Sequence, residues 1–208
     1  MKKQILLTNS VEFTKDRTME GASGFLIKYG GATFAVTAKH LLGEAGGVEP
    51  EIKINELSNS LKKWEMMPRV VTNAAKETVK LDAKGLSFLN PLNDILFLKV
   101  ISTSFEIEAL TPNFDLPVIG EKLFLIGCPY SEEKCKQNSY PLEFVEYDDA
   151  ENLLVFEIKS NVDLSGFSGA PVVNAKGEVF GALVSGGAAG GKNYAVATNI
   201  NEVQKLKF

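Results

Sequence analysis

The chain has 208 residues, 45% of them hydrophobic and 23% charged, an ordinary globular balance that excludes a disordered chain. Its 18 glycines follow no triplet period, which excludes a collagen-like one. A net charge of −4, with basic runs no denser than pairs such as Lys62-Lys63, argues against nucleic acid or an anionic membrane as partner.

At this length roughly 70% of the unfolded surface is buried on folding, so a core needs no metal or disulfide to hold it. Lys2-Lys3 precede apolar Ile5-Leu6-Leu7, but the run ends at Thr8-Asn9-Ser10. That is short of the roughly 7–15 apolar residues of an export signal. No stretch nears the ~20 of a membrane span. The expected location is cytoplasmic.

In chain order the pattern is of short β runs cut by glycine and turn residues. Residues 25–29 and 33–37 flank Gly30-Gly31 and read as a hairpin. Residues 51–54 alternate polar and apolar as a half-buried strand does. Residues 69–72 and 78–81 are further short candidates, and 95–101 is a strong apolar run. From about 102 to 120, Pro112 and Pro117 break any regular ladder, which reads as a connector between two lobes. The second lobe repeats the style at 122–126, 142–147, 153–158, 171–173, 179–184 and 194–198. Asn174-Ala175-Lys176-Gly177 fits a hairpin loop with Gly177 left-handed. Val203, Leu206 and Phe208 are spaced as on a short terminal helix, with Asn199 or Asn201 as its cap. The expectation is an all-β chain in two similar halves.

Cys128 and Cys135 read as reduced thiols of a reducing compartment, with a local disulfide as the alternative. A metal site needs more ligands than these, and the only histidine is distant in sequence. No Asn-x-Ser/Thr acceptor occurs, in keeping with a protein that is not secreted.

Three places bear on chemistry. His40 follows the run at 33–37 directly and has the titration range of a general base. Ser168 stands between Gly166 and Gly169 in Asp163-Leu164-Ser165-Gly166-Phe167-Ser168-Gly169-Ala170-Pro171. Small flanking residues let a substrate carbonyl approach backbone N–H groups there. Asp94 stands immediately before an apolar strand, where a carboxylate is partly desolvated unless paired. Chain order discriminates among hydrolases. No histidine follows Ser168, which excludes the α/β-hydrolase order, and the β-rich pattern is not that of a subtilisin. His40, Asp94, Ser168 is the chymotrypsin order.

On these residues the chain resembles the trypsin/chymotrypsin-like serine peptidases, in the style of compact bacterial members without structural disulfides. Gly21-Ala22-Ser23-Gly24-Phe25 resembles the segment leading into the family's histidine hairpin. Val36-Thr37-Ala38-Lys39-His40 resembles its Leu-Thr-Ala-Ala-His, and Asp94-Ile95-Leu96-Phe97-Leu98-Lys99-Val100 its Asp-Ile-Ala-Leu-Leu-Lys-Val. The segment from Gly120 to Pro129 resembles the strand opening the second barrel, and Gly166-Phe167-Ser168-Gly169-Ala170-Pro171 the nucleophile block.

The resemblance implies two six-stranded antiparallel β-barrels, about 1–105 and 118–208, forming one peptidase domain with a short C-terminal helix. It implies a serine endopeptidase with Ser168 as nucleophile, His40 as base and acid, Asp94 orienting the imidazole, and the amides of Gly166 and Ser168 as oxyanion hole. Val162 falls near the base of the primary substrate pocket, and Ser185, Gly186 and Gly187 on the strand that meets the substrate backbone. The apolar Val162 suggests an uncharged side chain before the scissile bond, while Asp163 leaves a basic one open. Protein or peptide is the implied partner, with no cofactor and no metal; oligomeric state is left open. Phe167 stands where the family has Asp or Asn, and Ala170 where it has Gly. These departures keep two alternatives in play: a catalytically inactive peptide-binding module, and an esterase using the same triad.

Overall fold

The computed structural model describes residues 4–70, 77–87 and 93–206. Its strands are Leu7–Phe13 (β1), Thr18–Tyr29 (β2), Ala32–Thr37 (β3), Leu61–Met67 (β4), Val79–Ser87 (β5), Leu96–Thr103 (β6), Ala109–Pro112 (β7), Lys122–Gly127 (β8), Asn138–Asp148 (β9), Leu153–Ile158 (β10), Pro171–Val173 (β11), Glu178–Ala189 (β12) and Lys192–Asn199 (β13). One helix, Ile54–Ser60 (α1), and short 3-10 turns complete the described elements.

The pairing order β1-β4-β5-β6-β3-β2 is closed by a β1–β2 pairing, and β12-β11-β8-β9-β10-β13 by a β12–β13 pairing. Each half is therefore a six-stranded barrel, antiparallel throughout, so neither leaves an edge to solvent along the closed ladder. Strand β7 lies parallel to both β2 and β12 and ties one barrel to the other.

Side-chain alternation decides what each strand buries. On β2 and β3, Leu26 and Ala35 face the interior of the first barrel. Their neighbours Phe25, Ile27, Phe34 and Val36 face the opposite way. There they form a second apolar cluster with Phe97, Ile126, Val173, Val179 and Val203, drawn from both halves. Burial on both faces explains why these strands read as continuous apolar runs. The interior of the second barrel is a third cluster around Leu125, Phe144, Phe156, Phe167 and Leu183.

Several expectations need correction. Residues 51–53 lie in no ladder, and α1 begins at Ile54. Ile52 is buried, yet its amide is used by the Leu42 carbonyl (2.9 Å) rather than by a neighbouring strand. The run at 69–72 is a bend at Arg69-Val70, and its remainder lies outside the described residues. The connector carries strand β7, four residues long. Cys128 and Cys135 form a disulfide, Cα–Cα 5.9 Å. The reading of two reduced thiols is overturned, and with it the support they lent to a reducing compartment. The terminal helix is a 3-10 turn over Ile200–Lys205, capped by the Asn199 side chain, which accepts from the Asn201 amide. No helix among the described residues is long and apolar enough to cross a membrane.

Candidate active site

His40 sits in the 3-10 turn Lys39–Leu42 that follows β3. Buried Leu41 and Leu42 fix this turn to the first-barrel core, leaving the imidazole at the seam. Asp94 precedes β6, which pairs with β3, so the sheet register brings the two together. Asp94 Oδ1 accepts the His40 backbone N–H at 2.7 Å, and Oδ2 lies 2.5 Å from Nδ1. On the other side of the ring, Nε2 lies 2.9 Å from Ser168 Oγ. Asp94 and Ser168 lie 54 and 128 positions from His40 in sequence, and the three side chains form one line from the first barrel into the second.

The loop that carries Ser168 is built on glycines with left-handed backbone. Phe167 N–H donates to the Leu164 carbonyl (3.0 Å), and Gly166 has φ +92° after a residue that is not left-handed. These are the marks of a type II turn with glycine at its third position. Gly169 has φ +86°, and a β-carbon there would meet the Ser23 carbonyl at 2.2 Å. Phe167 is 0% exposed, edge-on to Tyr140 (5.5 Å between centroids), and anchors the loop in the second core. Ala170 is likewise fully buried and both its backbone groups are paired: its N–H donates to Phe167 O, and its carbonyl accepts from Leu183 N–H. Among the described residues the amides of Gly166 and Ser168 donate to no backbone carbonyl.

Sequence reasoning missed the clamp that holds this loop. Ser23, on β2, donates its N–H to the Ser168 carbonyl and its Oγ–H to the Gly166 carbonyl, both at 2.8 Å. Behind it, Asn9 donates to the Ser23 carbonyl and to Thr37 Oγ1, Thr37 donates to the Ser23 carbonyl, and Trp64 Nε1–H donates to Asn9 Oδ1. Ser23 and Thr37 lay inside quoted motifs; nothing in the sequence singled out Asn9 or Trp64.

A cavity of about 410 Å³ opens beside the loop, lined by Val162, Asp163, Leu164, Ser165 and, across from them, Gly186 to Ala188 with Asn193 and Tyr194. Three of the expected substrate residues, Val162, Gly186 and Gly187, line it. Ser185 is exposed on β12 just outside it. Asp163 is solvent-exposed at this cavity. The Ser165 amide and then its hydroxyl donate to Oδ1 (2.9 and 2.8 Å) and hold the carboxyl below the usual aspartate range.

Two closed six-stranded barrels side by side are the architecture of the two-barrel serine peptidases. The model of the trypsin-like peptidase domain matches residues 22–181, and the chain belongs to that family. It is a serine endopeptidase by family and fold, so protein or peptide is its class of substrate. No curated protein matches the sequence. Among solved structures, the chain is similar to the active form of the Rv3671c protease from M. tuberculosis, with 15% identity and a TM-score of 0.61 over 98% of this chain and 79% of that one. The inactive form of that protease gives 14% identity and a TM-score of 0.59 over 97% and 86%. The serine endoprotease from Yersinia pestis gives 16% identity and a TM-score of 0.61 over 98% and 61%. At these identities the likeness is one of fold.

Proposed function

We propose that the chain cleaves peptide bonds through an acyl-enzyme on Ser168. The observation that carries this reading is the unbroken line Asp94–His40–Ser168. With its proton on Nδ1, shared with Asp94, the neutral imidazole presents the Nε2 lone pair to the Ser168 hydroxyl. Oγ attacks the substrate carbonyl carbon as its proton moves to Nε2. The imidazolium then protonates the leaving amine, the C–N bond breaks, and the acyl group stays on Oγ. Water repeats the sequence, giving its proton to Nε2 and its oxygen to the acyl carbon, and Ser168 is regenerated. The amides of Gly166 and Ser168, without other acceptors in the loop, supply the oxyanion donors.

Exposed Ser185, Gly186 and Gly187 on β12 offer backbone groups to an extended substrate, which would add to the sheet as a strand. The 410 Å³ cavity takes the side chain before the scissile bond. The domain reading that goes with this is one peptidase domain whose two barrels, about 1–105 and 118–208, contribute His40 with Asp94 and Ser168 respectively.

A fluorophosphonate probe tests the reading. Labelling of Ser168, lost in Ser168→Ala and in His40→Ala, together with turnover of unblocked peptides, is the expected result. Folded protein that takes no label would be a peptide-binding module instead. Label with turnover of simple esters but not of peptides would make it an esterase.

A further inference from the structure

An oxyanion hole works only if the Ser165–Gly166 peptide is held in one of its two orientations. A rotation of that peptide by half a turn would exchange N–H for carbonyl oxygen and put a partial negative charge where the substrate's negative charge must develop. Such a flip converts a type II turn to a type I, and costs little in an isolated turn. Something in the fold must therefore favour the first arrangement.

The segment after β8 supplies it. The Tyr130 amide donates to the Ser165 carbonyl at 3.2 Å, drawing that oxygen to the side of the turn nearest Tyr130. In a trans peptide, N–H and C=O point in opposite directions, so the Gly166 N–H is directed away from Tyr130. The Tyr130 ring lies against the same residue; a β-carbon on Gly166 would come within 3.0 Å of ring atoms. Its hydroxyl accepts the Ala22 N–H at 2.7 Å, one residue before the Ser23 clamp. The side chain is 51% exposed, too open for burial alone to explain its place.

Tyr130 is itself held. It lies inside the ring closed by the Cys128–Cys135 disulfide. The Arg69 guanidinium donates to the carbonyls of Cys128 and Pro129 at 2.6 Å each and lies 5.6 Å from the Tyr130 ring centroid.

We propose that Tyr130 is a positioning residue for the oxyanion turn, held in register by Arg69 and by the 128–135 disulfide ring. The consequence for catalysis rests on the acyl-enzyme reading above; the consequence for the turn does not. Tyr130 touches no reacting atom. It acts by fixing which way the Ser165–Gly166 peptide faces.

Because the turn stabilises the transition state rather than the bound substrate, its loosening lowers kcat and leaves KM nearly unchanged. Complete loss of one such donor costs about 10²–10³ in kcat, so Tyr130→Ala, which loosens rather than deletes one, is expected to lower kcat on the order of tenfold or more. Both variants keep the backbone amide; Tyr130→Phe also keeps the ring, losing only the hydroxyl that accepts the Ala22 N–H, and should retain most of kcat. Cys128→Ala with Cys135→Ala, and Arg69→Gln, should show the same kcat-weighted loss to a smaller degree. Those two serve in place of Tyr130→Ala if that variant does not fold.

Crystal structures of the Tyr130→Ala and Arg69→Gln variants read the turn directly, whether or not the protein hydrolyses anything. A Gly166 that leaves positive φ, with the Ser165 carbonyl rotated into the site, is the expected finding. An unaltered turn in those crystals would overturn the proposal, as would a folded Tyr130→Ala enzyme with wild-type kcat. A wild-type protein without Ser168-dependent turnover would defeat the acyl-enzyme reading alone, and the crystal result would still decide the role of Tyr130.

Discussion

Phe167 stands next to Ser168, at the position where the family resemblance puts Asp or Asn, and truncating it gives the sharpest test of how the loop is anchored. Its ring is fully buried in the second-barrel cluster, against Tyr140 and over Gly127. An aromatic side chain buries about 150–250 Å². At about 25 cal/mol/Å² that is about 4–6 kcal/mol, close to the 3–5 kcal/mol typical of Phe→Ala in cores. For a domain of this size each kcal/mol moves Tm by about 2–4 °C, so at about 3–5 kcal/mol Phe167→Ala should lower Tm by about 6–20 °C. Phe167→Asp adds a carboxylate among apolar side chains and should be worse by several kcal/mol, enough to leave little folded protein.

Gly127 sharpens the test. A β-carbon there would stand 2.1 Å from Phe167 Cε1, so Gly127→Ala alone should destabilise by about 1–3 kcal/mol through overpacking. In the Phe167→Ala background the same methyl enters vacated space, and the two changes should couple by about 1 kcal/mol or more. Thermal and guanidinium unfolding of the four proteins give the cycle. Strict additivity, or a Phe167→Asp protein at least as stable as Phe167→Ala, would refute the anchoring argument.

The remaining predictions concern the site. Asp94→Asn keeps the size of the side chain but disturbs the imidazole tautomer; turnover should fall by about 10⁴ with Tm little changed, measured by steady-state kinetics beside calorimetry. Asp163 should titrate below an ordinary aspartate in a carboxyl ¹³C NMR titration, because the Ser165 amide and hydroxyl favour its charged form. The sign follows from linkage: a carboxyl depressed in the folded state adds stability above its unfolded pKa, and that contribution is lost as pH falls through the folded value. Asp163 is also the charged side chain lining the cavity. Asp163→Asn should therefore reduce kcat/KM for peptides with Arg or Lys before the scissile bond relative to those with Leu, and an unchanged ratio would remove Asp163 from substrate selection.

Much of the site was legible because its chemistry is written in local strings. His40 follows its strand directly, Asp94 precedes an apolar run, and Ser168 sits among glycines whose left-handed φ the loop requires. Strand β1 was illegible for the opposite reason. Its inward positions are Leu7, Asn9, Val11 and Phe13, and the polar Thr8-Asn9-Ser10 ended the apolar run. Asn9 can be buried because both ends of its amide are satisfied, by Trp64 on one side and by Ser23 and Thr37 on the other. Those partners lie 14, 28 and 55 positions away, beyond any local pattern. The same holds for the disulfide: the sequence read Cys128 and Cys135 as reduced thiols, and the turn after β8 joins them instead.

Polar groups also cross between the barrels, beside the apolar cluster and β7 that they share. Ser23 belongs to β2 of the first barrel, yet its amide and hydroxyl are both spent on the Ser168 and Gly166 carbonyls in the second. Ala22, beside it, donates to the Tyr130 hydroxyl. If the barrels separated, the Gly166 and Ser168 carbonyls would lose these donors together, and His40 would lose Ser168. Docking of the barrels and assembly of the oxyanion turn thus share the same hydrogen bonds. A mutation that weakens the seam should appear first as lost transition-state stabilisation, before either barrel unfolds, because each barrel keeps its own closed ladder and its own apolar interior.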